Sequence, residues 1–216
     1  MRCLPWPPLL LITDRRQAVA KTLEWVIEAA LEGGIRWISL REKDLDPQAR
    51  LVLLRRILPL ATSAGASLMV HDDLAAAVRL GLDGVHLPDT GDPRQARELL
   101  PEALIGQSWH GELGASKLND LALDYLTLSP IFLTESKPGY GPALGLGTLS
   151  RATTLTTKPL LALGGIDRDR IALCRGAGAA GVAVMGEIMR SRDPAQTAAA
   201  LVGRFGRPAQ SDLSGA

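Results

Sequence analysis

The chain has 216 residues, 46% hydrophobic and only 4% aromatic, with a formal net charge of +1. That length suits one large domain with its own core. The near-neutral balance gives no field that would draw in nucleic acid or an anionic membrane.

Residues 1–12 are apolar apart from Arg2, yet Pro5, Pro7 and Pro8 interrupt the run and no small-residue cleavage site precedes Thr13-Asp14. The stretch is therefore read as part of the fold, not as a secretory signal. No run reaches transmembrane length. Cys3 and Cys174 match no metal-ligand or redox spacing, and two reduced thiols fit a cytoplasmic protein.

Taken in order, the chain alternates. Residues 9–13 form a short apolar run, hence a strand. Residues 18–32 carry apolar side chains at helical spacing (Val19, Leu23, Val26, Ile27, Ala30, Leu31) and stop at Gly33-Gly34. Asp14 is read as the cap of this first helix. Strand two, 37–40, ends in Arg41-Glu42-Lys43, where Arg41 and Glu42 could also form a plain surface pair. Asp46-Pro47 opens a second helix, to 60 or 61, bending at Pro59. Strand three, 67–70, ends in His71-Asp72-Asp73, and a short helix covers 74–80. Strand four is 84–87, with His86 read as structural. Asp92-Pro93 opens a helix to about 100.

The second half continues the pattern. Strand five, 104–108, ends at Trp109-His110, and a weaker helix is expected over 112–121. Strand six is 125–129. After it comes the loop 130–147, PIFLTESKPGYGPALGLG, too rich in Gly and Pro for a regular element. Thr134, Ser136 and Lys137 lie within it. Two hydroxyls and an ammonium beside glycines suit phosphate or diphosphate, and a solvated loop is the plain alternative. A helix follows over 149–155, then strand seven at 159–163 and Gly164-Gly165. Asp167 caps a helix to about 175, strand eight covers 181–185, and a last helix covers 194–205. Residues 206–216 read as a disordered tail.

Three segments, ALEGGIRWISLRE, VRLGLDGVHLPD and CRGAGAAGVAVMGE, share one pattern. Each ends a helix on glycine, turns, enters an apolar strand and finishes on polar or glycine residues. Such repetition marks β/α units. About eight units in a chain of this size predict an α/β fold, a single (β/α)8 TIM barrel over residues 1–205. An open doubly wound sheet would place a glycine-rich turn after the first strand, where this chain has Thr13-Asp14-Arg15.

In a barrel, chemistry belongs at the C-terminal strand ends. Those ends collect Arg41 and Lys43, His71 and Asp72, Asp89, Ser108 and His110, Thr134, Ser136 and Lys137, Gly164-Gly165, and Met185-Gly186. Cations at strands two and six face an acid at strand three, and glycines at strands seven and eight can offer backbone N–H groups to phosphate. Asp72 has a second reading, as the cap of the third helix.

The ordered set resembles a known family. Leu40-Arg41-Glu42-Lys43, Asp72-Asp73, Gly84-Val85-His86-Leu87, Thr134-Glu135-Ser136-Lys137, Ala162-Leu163-Gly164-Gly165-Ile166 and Gly181-Val182-Ala183-Val184-Met185 stand in the order seen in the thiamin-phosphate synthase/TenI superfamily. The resemblance implies a transferase that joins a pyrimidine-methyl diphosphate to a thiazole phosphate and releases pyrophosphate. It implies Arg41, Lys43 and Lys137 on the diphosphate, with Ser108 donating. It implies Mg²⁺ on Asp72, and the thiazole phosphate on Thr134, Ser136, Gly165, Met185 and Gly186. The related thiazole tautomerases, isomerases in which a histidine at the place of His110 shuttles protons, and a non-catalytic phosphate-ligand binder are the alternatives. The partners implied are small phosphorylated molecules and no nucleic acid or membrane, with a homo-oligomer admissible.

Four positions depart from the family pattern. Ser39 stands where Gln is usual, His71 where Asn is usual, and Gly186 where Ser is common. Gly91 falls where a second metal acid is expected, so Asp72 alone, or Asp72 with Asp89 or Asp73, is left to hold Mg²⁺, the alternative being a decayed metal site.

Overall fold

The computed structural model describes residues 2–18, 21–110, 119, 122–134 and 142–206. Val19, Ser136, Lys137, the helix expected over 112–121 (Asn119 apart) and the tail beyond Gly206 lie outside the described residues. Eight parallel strands close into a barrel in sequence order. They are β1 (Leu9–Ile12), β2 (Trp37–Leu40), β3 (Ser67–His71), β4 (Gly84–Leu87), β5 (Leu104–Trp109), β6 (Tyr125–Leu128), β7 (Leu160–Leu163) and β8 (Gly181–Val184). Closure comes from β1 pairing with β8, Leu10 opposite Ala183. Each strand lies within a residue of its predicted place.

The strands read as continuous apolar runs because both faces are covered. Side chains alternate between two cores. Leu10, Ile12, Trp37, Met69, Leu104, Tyr125, Leu161 and Ala183 plug the barrel interior. Leu9, Leu11, Ile38, Leu40, Leu68 and Val70 face outward into the larger cluster under the helices. Inside, Trp37 meets Tyr125 edge-on at 4.9 Å between ring centroids, and its Nε1–H donates to Met69 Sδ at 2.8 Å. Fully burying each large side chain is worth roughly 1.5–3 kcal/mol.

Eight α-helices occur among the described residues: α1 (Leu23–Glu32), α2 (Pro47–Ser63), α3 (Leu74–Leu80), α4 (Pro93–Leu99), α5 (Gly145–Leu155), α6 (Arg170–Gly176), α7 (Gly186–Met189) and α8 (Pro194–Val202). In α1 the buried stripe Leu23, Val26, Ile27, Ala30 and Leu31 is the one the spacing predicts. Asp46 caps α2 by accepting from the Ala49 N–H at 2.8 Å, and Pro59 sits inside that helix. None of the described helices is long and apolar enough to cross a membrane.

Four local differences from the predicted elements have physical causes. Asp14 caps a short 3-10 turn, Arg15–Gln17, so α1 starts at Leu23 on its own cap, Thr22. Asp73, not Asp72, caps α3, accepting from the Ala76 N–H at 3.0 Å. Helix α5 begins at Gly145, so Gly145 and Gly147 are helical and the preceding loop is shorter than predicted. Helix α7 follows β8 after one residue, too short to leave a periodic signal.

Candidate active site

A cavity of about 530 Å³ opens at the C-terminal strand ends. Arg41, Lys43, His71, Asp89, Ser108, His110, Thr134, Gly165, Met185 and Gly186 all line it. Asp72 is exposed and is not among the lining residues, and Ser136 and Lys137 lie outside the described residues.

The cationic side is set by an acid that faces away from the cavity. Glu42 is buried, so it is no partner in a surface pair with Arg41. Its carboxylate accepts from the Thr13 hydroxyl at 2.6 Å and from the Arg15 N–H at 2.9 Å. The Thr13 hydroxyl oxygen accepts in turn from the Arg41 N–H at 3.0 Å. Glu42 thus ties the end of β1 to the Arg41 backbone. Burial pushes its carboxyl above the usual range, against the hydrogen bonds from Thr13 and Arg15 and with the charges of Asp14 and Asp44 adding to the rise.

The cavity floor is a histidine network. His86 is buried, with Nδ1 2.9 Å from the Tyr125 hydroxyl and Nε2 3.2 Å from Ser108 Oγ. His71 stacks on it at 5.1 Å between ring centroids. Burial, and secondarily the charge of Arg41, depress the His86 pKa to about 3, so the ring is neutral. A neutral imidazole offers one donor and one acceptor, which the Tyr125 and Ser108 hydroxyls can match. The structural reading of His86 holds, and the ring also borders the cavity, holding Ser108 at its edge.

On the acidic side, Asp72 carries φ 55° and is the non-glycine residue with positive φ among those described. Its N–H still donates to His86 O at 3.0 Å, so the strand ladder runs up to the bend. Asp73 is occupied twice, capping α3 and pairing with Arg50 at 2.7 Å, which removes it as a metal substitute. Asp89 sits on a loop pinned by Gln107, whose Nε2 donates to Pro88 O and Gly91 O, each at 3.0 Å. Among the described residues no three acidic, His or Cys groups cluster as a metal cage. Asp72 and Asp89 carry the hard oxygen donors that Mg²⁺ takes, one or two at a time beside phosphate oxygens and water, and of the two only Asp89 lines the cavity.

The turn after β7 is built on glycine. Gly164 and Gly165 have φ of 99° and 61°. A Cβ on Gly165 would lie 2.4 Å from Leu133 O, so only glycine lets this turn approach the β6 loop. Four further lining residues escaped the sequence reading: Asp167, Arg170, Glu187 and Arg190. Asp169, not Asp167, is the N-cap residue of α6, while Asp167, two residues earlier, accepts from the Arg170 N–H at 2.9 Å and pairs with Arg170 Nε at 3.3 Å. Burial and the Asp167 charge raise the Glu187 carboxyl above its usual range, against Arg190 and Arg170. In sequence these four resemble ordinary charges at helix starts and ends.

Comparison with known proteins identifies the family and the fold. The family described as thiamine monophosphate synthase matches residues 9–188. A putative thiamine-phosphate synthase of Geobacter sulfurreducens is 42% identical over 196 residues, covering 90% of this chain and 92% of its own. A thiamine-phosphate synthase of Roseiflexus sp. is 34% identical over 204 residues, covering 92% and 86%. The solved thiamine phosphate pyrophosphorylase from Pyrococcus furiosus superposes with a TM-score of 0.80 at 27% identity, covering 92% of this chain and 96% of that one.

Proposed function

The chain belongs to the thiamine monophosphate synthase family, and from that premise we propose that it joins a pyrimidine-methyl diphosphate to a thiazole phosphate to form thiamin phosphate. The observation that carries the reading is one cavity lined both by Arg41 and Lys43 after β2 and by Gly165 and Gly186 after β7 and β8. Two phosphorylated substrates, one on each set, would bring their uncharged reacting parts over the His86–Ser108 floor.

In the reaction the C–O bond to the diphosphate breaks and its electron pair leaves with pyrophosphate. The thiazole nitrogen then gives its lone pair to the pyrimidine-methyl carbon. Arg41, Lys43 and Lys137 stabilise charge growing on the leaving group, and fixed cations in a water-poor site do this without reorganising. Ser108 donates toward the same group, its hydroxyl held by the neutral His86. Thr134, Ser136 and the backbone of Gly165, Met185 and Gly186 hold the thiazole phosphate. Mg²⁺, held by Asp72 and Asp89, would neutralise diphosphate charge.

His110 also lines the cavity, and this favours a second reading, thiazole tautomerase. Supplying the purified chain with both substrates, with and without Mg²⁺, separates the two. Thiamin phosphate formed only with Mg²⁺ supports the synthase. Thiazole aromatisation without diphosphate, abolished in His110→Ala, replaces it with the tautomerase.

A further inference from the structure

We propose that Arg190 binds the phosphomonoester of the thiazole substrate, from a seat in which its guanidinium lies against Gly186. This inference rests on the synthase reading and adds to it a ligand that lies outside the glycine turns.

Gly186 is buried, and a Cβ built on it would lie 2.2 Å from Arg190 Nη1 and 2.6 Å from both Cζ and Nη2. The guanidinium therefore rests in the volume that any side chain at position 186 would fill. The φ of Gly186 is not in the left-handed region, so the backbone there would accept an L residue. A side chain at position 186 would make the guanidinium move, and no backbone constraint stands in its way.

The seat is oriented as well as open. Arg190 Nη1 donates to Gln17 Oε1 at 2.6 Å. Gln17 Nε2 donates to Asp14 Oδ2 at 3.0 Å and contacts Met185 Sδ at 3.2 Å. The turn after β1 thus holds the cation over the end of β8. Arg190, Gly186 and Gly165 all line the cavity. A planar guanidinium is suited to a phosphate because it can offer two parallel N–H donors.

The test is calorimetric binding of the thiazole phosphate and of its unphosphorylated alcohol to the purified full chain. Arg190→Ala should weaken the phosphate ester by roughly ten- to a hundredfold, the range for a charge-assisted contact. It should leave the alcohol unchanged, and Arg190→Lys should recover part of the loss. Gly186→Ala, whose Cβ displaces the guanidinium, should weaken the ester by less than Arg190→Ala does, and the double variant should lose no more than Arg190→Ala alone. Exposed Arg192, outside the cavity, is the control, and Arg192→Ala should bind both as the wild type does. Unchanged ester affinity in Arg190→Ala overturns the proposal. So does equal loss for ester and alcohol, which would mark Arg190 as a structural tie to Gln17. A wild type that binds the ester with this Arg190 dependence but makes no thiamin phosphate would refute the synthase reading and leave the Arg190 site standing.

Discussion

His86 Nδ1 lies 2.9 Å from the Tyr125 hydroxyl inside a closed barrel, so a titratable ring is sealed between a phenol and a serine. The Tyr125 hydroxyl is held well above its usual pKa by burial and, less, by Asp124, so it is neutral too. His86 and Tyr125 thus bring no charge to the floor of the cavity.

A pH dependence of stability follows. The His86 pKa is about 3 in the fold against 6.5 for an ordinary histidine. Between those values the unfolded chain binds a proton that the folded chain refuses. Stability from this group is therefore complete above pH 6.5 and is lost as pH falls toward 3, at about 1.4 kcal/mol per pH unit. His86→Gln cannot titrate, so its deficit against wild type should shrink as pH drops from 7 to 4. The raised Glu42 acts with the opposite sign but is common to both proteins. Urea unfolding curves whose difference is constant with pH would sink this expectation.

Asp72 sets stability against activity. Its φ of 55° costs an L residue about 1–2 kcal/mol, less for Asp than for most. Asp72→Gly should unfold at the same or slightly higher temperature yet lose most turnover. Asp72→Asn should raise the Mg²⁺ concentration needed for half-maximal rate. Wild-type Mg²⁺ dependence in Asp72→Asn would remove Asp72 from the metal site.

The diphosphate end is tested by affinity. Lys43→Ala and Lys137→Ala should each weaken pyrophosphate by about 1.5–3 kcal/mol, the worth of a hydrogen bond to a charged group. Titration calorimetry with unchanged affinity would place the altered lysine off the diphosphate.

Asp124, outside the cavity, should matter to the fold alone. Its carboxylate accepts from Arg97 Nη2, the Ile105 N–H at 2.9 Å and the Arg2 N–H at 2.9 Å, and it is 2% exposed. Asp124→Ala leaves a guanidinium and a buried amide without that partner, so it should cost about 3–5 kcal/mol. Chemical denaturation measures this directly, and a loss under about 1 kcal/mol would mean that water replaces the carboxylate.

The barrel was legible because each strand is a short apolar run closed by a turn, as at 37–40 and 84–87. The strand-end positions followed from the topology alone. What escaped depends on neighbours far along the chain. Glu42 reads as a surface charge until Thr13 and Arg15, about 28 residues earlier, are seen to bury it. Asp72 and Asp73 are both good caps in sequence, and only the backbone turn at φ 55° decides between them. Arg170 and Arg190 look like common helix-terminal cations, and only the closing of β8 onto β1 brings Arg190 to Gln17. Gly145 and Gly147 lower helix propensity enough to hide the first turn of α5.

That closing seam has a consequence for how the chain is made. Leu9, Leu10 and Leu11 hydrogen-bond along Val182, Ala183 and Val184, which leave the ribosome last among the strands. At ordinary elongation speeds the leucines emerge on the order of ten seconds or more ahead of their partners. Throughout that interval β1 is an open, apolar edge, the kind that pairs with other chains. The nascent protein therefore depends on its final quarter, or on a chaperone holding the first, to stay out of aggregates.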